Sequence, residues 1–241
     1  MMEFSALTYN IHKGIGNDRK FRLNRTTEVL LSANADFYLL QEVDSFVPRS
    51  GNQDTALVLA GELGFHHATG LNVKLKKGNY GNTTLSRYPI SESYNFSLTW
   101  GIKKARGCLV SRIKTPQGDL MVLNYHLGLA GIERTWQIKK LISHIQENFK
   151  NIPILVSGDS NDRNHRLTRL FAEAGFNDTC TTGKMFTYPA YAPIWRLDKA
   201  FVNNAIGITE HMVIKNKLTR MASDHLPVQV KFEINPSNTL S

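Results

Sequence analysis

The chain has 241 residues, of which 41% are hydrophobic and 20% charged, and it carries a formal net charge of +9. This balance excludes an intrinsically disordered protein, and no apolar run approaches the roughly 20 residues that a membrane-spanning helix needs. A positive surface gathers polyanions by long-range attraction, so nucleic acid, anionic lipid head groups and phosphorylated small molecules are the favoured partner classes, with plain solubility as the competing account.

The opening segment MMEFSALTYN has no basic start followed by an apolar run, so no secretory signal is expected. Its aliphatic and aromatic residues predict a buried strand over Phe4 to Asn10, followed by a helix over Asn24 to Ala33 and a second buried strand over Asp36 to Gln41. A helix is predicted over Thr55 to Leu63. Beyond it a Gly/Asn-rich stretch carries Lys74, Lys76 and Lys77, either as a mobile substrate loop or as a merely soluble one. Half-buried strands are predicted over Asn82 to Leu85, Ile90 to Leu98 and Gly107 to Lys114, the last ending in a PQGD turn. A buried strand over Leu120 to Tyr125 leads to the clearest helix, Glu133 to Phe149, where Ile138, Leu141, Ile142, Ile145 and Phe149 share one face at helical spacing. A strand over Ile154 to Ser157, a helix over Asn164 to Ala174 and strands at Phe201 to Val202, Val213 to Ile214 and Val228 to Ile234 complete the series. With no internal repeat and no dividing linker, residues 1–234 are expected to form one domain, with 235–241 as a disordered tail. Strands with helices between and around them suggest two packed sheets flanked by helices. Cys108 and Cys180 form no disulfide framework and suit a reducing, cytoplasmic compartment.

Asn10, Glu42, His126 and Asp159 each stand at or directly after the end of a predicted buried strand. Strand ends hold side chains rigidly, and several can face a common point. Glu42, Asp159 and Asp224 are hard oxygen ligands of the kind that hold Mg²⁺ or Mn²⁺, although any one alone is more simply a solvated acid or a helix cap. In SDHLP the acid beside His225 lets one residue hold metal while the other handles a proton, and Asp198 in WRLDKAF is a candidate to orient that histidine.

The motifs TYNIHKG, LLQEVD, LSRYPI, NYHLGL, SGDSND, WRLDKAF and SDHLPV run in the order seen in the endonuclease/exonuclease/phosphatase superfamily, and the chain resembles that superfamily from Leu7 to Val230. HKG, GNTTLSRYPI, ARGCL and HLGLAGIERTWQ look most like its small bacterial members with unassigned substrates. The resemblance implies a four-layer α/β/β/α sandwich, two mostly antiparallel sheets flanked by helices. It implies metal ligation of Mg²⁺ or Mn²⁺ by Asn10, Glu42 and Asp224, with Asp159 and Asn161 contacting water, metal and phosphate. His225, held by Asp198, matches the histidine that activates water or stabilises the phosphorane, and His126 the one near the leaving oxygen. Together His126, Asp159, Asn161, Asp198 and His225 are the expected catalytic set. Arg87 and Arg106 are expected to contact phosphate or to form structural ion pairs, Asn82 to orient His126, and Arg134 and Gln137 to back the site or to lie on a solvated helix face. His66 and His67 are expected to be structural.

The expected activity is metal-dependent phosphodiester hydrolysis by a monomer. Nucleic acid is favoured over lipid head groups; an inositol-phosphate or lipid hydrolase is the alternative, and an inactive binding module a distant third. Two departures argue against an abasic-site repair enzyme: His12 stands where those enzymes carry aspartate, and His126 where they tend to carry tyrosine.

Overall fold

Period-two burial along the first strand shows how the molecule is layered. In β1 (Glu3–Asn10), Phe4 and Ala6 belong to one apolar cluster and Leu7 and Tyr9 to another, and all four are buried. A strand buried on both faces lies in a middle layer. The structure, a computed structural model, describes residues 2–182 and 185–235.

The first sheet runs β11 (Ile206–Val213), β12 (Val228–Ile234), β1, β2 (Phe37–Ser45), β4 (Asn79–Ser86), β3 (His66–Lys74). The second runs β5 (Ile90–Ser97), β6 (Gly107–Thr115), β7 (Gly118–His126), β8 (Ile154–Asp159), β10 (Asp198–Asn203), β9 (Phe176–Asp178). Each is antiparallel but for one parallel pair, β1 with β2 and β7 with β8. Between the sheets lie Phe4, Phe37 and Phe232, ring centroids about 6 Å apart, with Leu120, Val122 and Leu155 from the facing sheet. Each such buried side chain contributes roughly 1.5–3 kcal/mol relative to exposure. Helices α1 (Leu23–Ala33) and α2 (Thr55–Leu63) cover the outer face of the first sheet. Helices α3 (Gly131–Asn148) and α4 (Arg166–Glu173) cover the second, α3 through Ile138, Leu141 and Ile145. The result is the expected four-layer α/β/β/α sandwich, and no helix among the described residues is long and apolar enough to cross a membrane.

Differences from expectation have physical causes. β3 was not foreseen, because HHATGLNVK is a largely exposed edge strand whose polar residues hide the strand signal. It places Lys74 in a strand and leaves only residues 75–78 between β3 and β4, so the Gly/Asn-rich stretch, open in sequence to a mobile substrate loop or a merely soluble one, is a short hairpin connection. The short helix α5 (Lys217–Ala222) rests on a capping box between Asn216 and Thr219 and is too brief to show apolar periodicity. Strand β2 continues past Gln41 to Ser45. The tail expected to be disordered lies outside the described residues from 236 onward. Asn235 itself donates its backbone N–H to the Ala205 carbonyl at 2.9 Å.

Above the apolar middle layer lies a belt of buried amides that ties the sheets together. The Gln41 amide donates to Thr8 Oγ1 at 3.1 Å and to Asn124 Oδ1 at 2.8 Å, and the Asn124 amide donates to the Leu40 and Thr83 carbonyls. The amide N–H groups of both residues are placed by these bonds, while Gln41 Oε1 has no partner among the described residues; hydrogen bonds that cross between the sheets in this way restrict how one can move against the other.

Candidate active site

Strand register sets the first row of the site. His126 lies opposite Asp159, and Asp159 opposite Asp198, across the neighbours β7, β8 and β10. Each continues the inward-facing set of its strand, after Val122 and Asn124, after Leu155 and Ser157, and before Ala200 and Val202. Gly158 makes the close approach possible: its φ is +154°, and a Cβ there would lie 1.9 Å from the Tyr125 carbonyl oxygen. From the facing sheet, Asn10 continues the phase of Phe4, Ala6 and Thr8, and its amide donates to Asp159 Oδ2 at 3.0 Å.

Glu42 reaches the same space by a different device. Strict alternation after Gln41 would turn it beneath the helices. Instead the β2–β4 register slips between Leu40 and Val43, and Glu42 adopts φ +57°, a bulge that re-aims the side chain into the cleft. Its carboxylate meets the ammonium of Lys13, itself at φ +63° in the turn His12–Gly14. Left-handed non-glycine residues cost of order 1–3 kcal/mol each, so two converge on one contact. Burial pushes the Glu42 carboxyl up, but the Lys13 ammonium beside it, through its charge and its hydrogen bond, pulls it down, and the carboxyl lies well below the usual carboxylate range.

His225 Nδ1 stands 2.9 Å from Asp198 Oδ2, and its Nε2 3.7 Å from Asp159 Oδ2. Burial disfavours the charged ring, yet Asp198 and then Asp159 overcome it and raise His225 to about 10. Asp159 is pushed up by burial, against the pull of His225, to about 6. His126 Nε2 lies 3.4 Å from Asp159 Oδ2; burial and then the Arg106 charge hold this histidine well below its usual value, so it is neutral at pH 7. Asn161, at φ +50°, donates its amide to the Leu127 carbonyl and its backbone N–H to Asp159 Oδ1. The ring of Tyr188 closes over His225 at 4.9 Å between centroids.

Asn10, Glu42, His126, Asp159, Asn161, Tyr188, Asp224 and His225 line a cleft of about 660 Å³, Lys104, Arg106, Arg134 and Arg163 also border it, and Asp198 is fully buried behind His225. A hollow of similar size, about 630 Å³, lies beside the end of α3, but its Asp119 is already paired with Arg112 and Lys114 and no acid–base set converges there. Asp159, Asp198 and His225 offer ligand atoms within 4.8 Å of one another. That grouping is better described as an imidazolium between two carboxylates, because the Asp198–His225 hydrogen bond uses the atoms a metal would need. The donors left facing the cleft are Glu42, half-exposed Asp224 and Asn10, a hard oxygen set suited to Mg²⁺ or Mn²⁺. A cation, the Lys13 ammonium, already stands on Glu42.

One expected substrate contact is elsewhere. Arg87 follows the far end of β4, pairs with Asp36 at 2.9 Å and covers the Phe65 ring, so it is a structural ion pair outside the cleft. Asn82 is buried, and its amide donates to the Gly107 and Asn124 carbonyls, tying β4 to the second sheet. Gln137 is likewise internal, bridging Gly128 N–H and the Leu98 carbonyl. Arg106 and Arg134 do border the cleft, while His66 and His67 sit on exposed β3. Sequence reasoning missed Lys13, Lys104, Arg163 and Tyr188; HKG stood out only as a likeness, and the others carried no local signal.

The sequence profile of the Endonuclease/Exonuclease/phosphatase family matches residues 7–225. The chain belongs to this family. YbhP of Escherichia coli K12, itself uncharacterized, is 30% identical over 245 residues, covering 96% of each chain. Among solved family folds, a mannosyl-6-phosphatase from Bacteroides thetaiotaomicron superposes with a TM-score of 0.76 at 18% identity, covering 96% of this chain and all of that one. D. rerio TDP2 in complex with single-strand DNA product gives a TM-score of 0.73 at 16% identity, covering 97% of this chain and all of that one. At these identities the likeness is one of fold.

Proposed function

We propose that the protein hydrolyses phosphodiester bonds with the help of Mg²⁺ or Mn²⁺, with nucleic acid as its favoured substrate, acting as a cytoplasmic monomer. The observation that carries this reading is the register-aligned row His126–Asp159–Asp198, with His225 clamped on Asp198, in a cleft bordered by cations.

Phosphoryl transfer depends chiefly on positioning and on neutralising charge at the non-bridging oxygens. The divalent ion, held by Glu42, Asp224 and Asn10, would supply part of that neutralisation. His225 is suited to supply more, because a ring raised to about 10 is charged at pH 7 and donates from Nε2. This charge state favours phosphorane stabilisation over water activation for His225. Asp159 is then the better base: a carboxyl at about 6 is ionised at neutral pH yet basic enough to take a proton from water. Asn10 steadies Asp159 Oδ2, and the Asn161 backbone N–H holds Oδ1. His126, neutral and on the opposite flank from Asp198, can offer an N–H to the departing oxygen.

Net charge of +9 and the cationic rim support nucleic acid. The test is a panel of plasmid DNA, single-stranded RNA, inositol phosphates, mannose 6-phosphate and lipid vesicles, each with Mg²⁺ or EDTA. Nucleic acid should be cut in Mg²⁺ alone, with binding that weakens steeply as salt rises. Turnover confined to phosphomonoesters or lipid head groups would replace the substrate, and turnover that survives EDTA would remove the metal.

A further inference from the structure

Register also places a residue beyond His126. Gly107 on β6 lies opposite His126, so the order across the sheet is Gly107, His126, Asp159, Asp198. Neighbouring strands stand about 4.8 Å apart, which puts Arg106 one strand outside His126 and on the flank away from His225. Two arginines are buried among the described residues. Arg196, 7% exposed, is clamped by both oxygens of Asp178. Arg106, 8% exposed, has a guanidinium that makes no hydrogen bond and no ion pair with any described residue, and its Nε is wholly buried without a partner. An uncompensated buried charge is strongly destabilising, and Arg25, Arg49 and Arg87, all more exposed than Arg106, each have a carboxylate partner. Arg106 faces the cleft, and the Lys104 ammonium borders it too, held 4.9 Å from the Tyr80 ring centroid.

His225, the donor already described for the scissile phosphate, is clamped on Asp198 and so lies on the far side of His126 from Arg106. We infer that Arg106 and Lys104 form a second anion subsite on the leaving-group flank, so that the preferred substrate is a phosphodiester whose departing fragment carries a further phosphate. This rests on the phosphodiesterase reading and narrows it: the enzyme recognises a phosphate neighbouring the bond it cuts, as an internal linkage of a strand provides and an isolated diester does not.

The test uses the full chain, its Arg106→Met variant and a thymidine dinucleotide with or without phosphates at both ends. The native protein should prefer the terminally phosphorylated dinucleotide by about tenfold or more in kcat/KM, and Arg106→Met should cut that preference at least tenfold, with Arg106→Lys retaining part of it. Equal losses on both dinucleotides would overturn the subsite, since Arg106 would then serve the scissile phosphate or His126. Stability separates a binding arginine from a structural one. Removing an unpaired buried charge should raise the unfolding midpoint by about 2–4 °C, whereas a lowered midpoint marks a structural role and overturns the proposal. If the native protein cuts neither dinucleotide, the phosphodiesterase reading fails, and calorimetry with pyrophosphate in EDTA decides the subsite separately. Binding lost in Arg106→Met supports it; unchanged binding overturns it.

Discussion

Replacing Asp198 by asparagine isolates the charge that holds His225. Burial works against the charged ring, while Asp198 and then Asp159 raise it from 6.5 to about 10. At about 1.4 kcal/mol for each tenfold change in proton affinity, this amounts to on the order of 5 kcal/mol. A histidine whose folded pKa exceeds its unfolded value stabilises fully below the unfolded pKa, and that contribution is lost as pH rises through the folded one. Here it is complete below pH 6.5 and fades between 6.5 and about 10. Asp159 acts in a separate window. Raised from 3.8 to about 6, it costs stability as pH climbs through that interval, and the cost is constant above it. Asp198→Asn should therefore lower the unfolding free energy of the metal-free protein by about 3–5 kcal/mol near pH 6.5. The deficit should narrow as pH rises through about 10, where the native ring loses its proton. Denaturant titrations in EDTA across that range, with NMR titration of the His225 ring, read both quantities. A deficit that stays constant with pH, or a native ring titrating near its ordinary value, refutes the reasoning.

Three further substitutions probe the rest of the cleft. Lys13→Met removes the ammonium that stands on Glu42, so Mn²⁺ affinity measured by calorimetry should tighten about tenfold, ~1.4 kcal/mol; equal or weaker binding would show that the lysine and the metal do not compete. Glu42→Gln should keep the fold, as judged by circular dichroism, yet lose most metal affinity and turnover; metal binding and rate at native levels would remove Glu42 from the ligand set. His126→Ala should damage hydrolysis of an alkyl phosphodiester far more than of a nitrophenyl one, because a nitrophenolate departs without help. His225→Ala should damage both, and equal losses for His126→Ala would take it off the leaving group.

Much of the architecture was legible because burial imposes simple periods. The strand runs around Phe4 to Asn10 and Ile154 to Ser157 and the helical face of Ile138, Leu141 and Ile145 all follow from which side chains must leave water. The polar strand ends Asn10, His126 and Asp159 were visible for the same reason, since a hydrogen-bonding side chain just beyond an apolar run stands out. Where burial is weak the signal fades, as in exposed β3 and in α5, which rests on one capping box. The surroundings of Arg87 and Asn82 were hidden for a related reason. Both belong to GNTTLSRYPI, yet the alternation of β4 does not reveal that Arg87 emerges at the end remote from the cleft, or that Asn82 faces the second sheet.

What periodicity cannot carry is any contact that breaks it. Glu42 was found as a strand-end acid, but β2 does not end there; a bulge and a left-handed backbone turn the side chain towards the cleft. Its partner Lys13 lies 29 residues away in a turn where His12 and Lys13 both have positive φ. Asn161 completes the set from a third such position. Each conformation is unfavourable by itself for a side-chain-bearing residue and persists only when the surrounding packing enforces it. Three of the residues that meet at this cleft thus owe their aim to departures from regular structure. The row His126–Asp159–Asp198 owes its aim to perfect register. The register-aligned row forms one wall of the cleft, and the irregular positions bring to it the groups that regular strands cannot deliver.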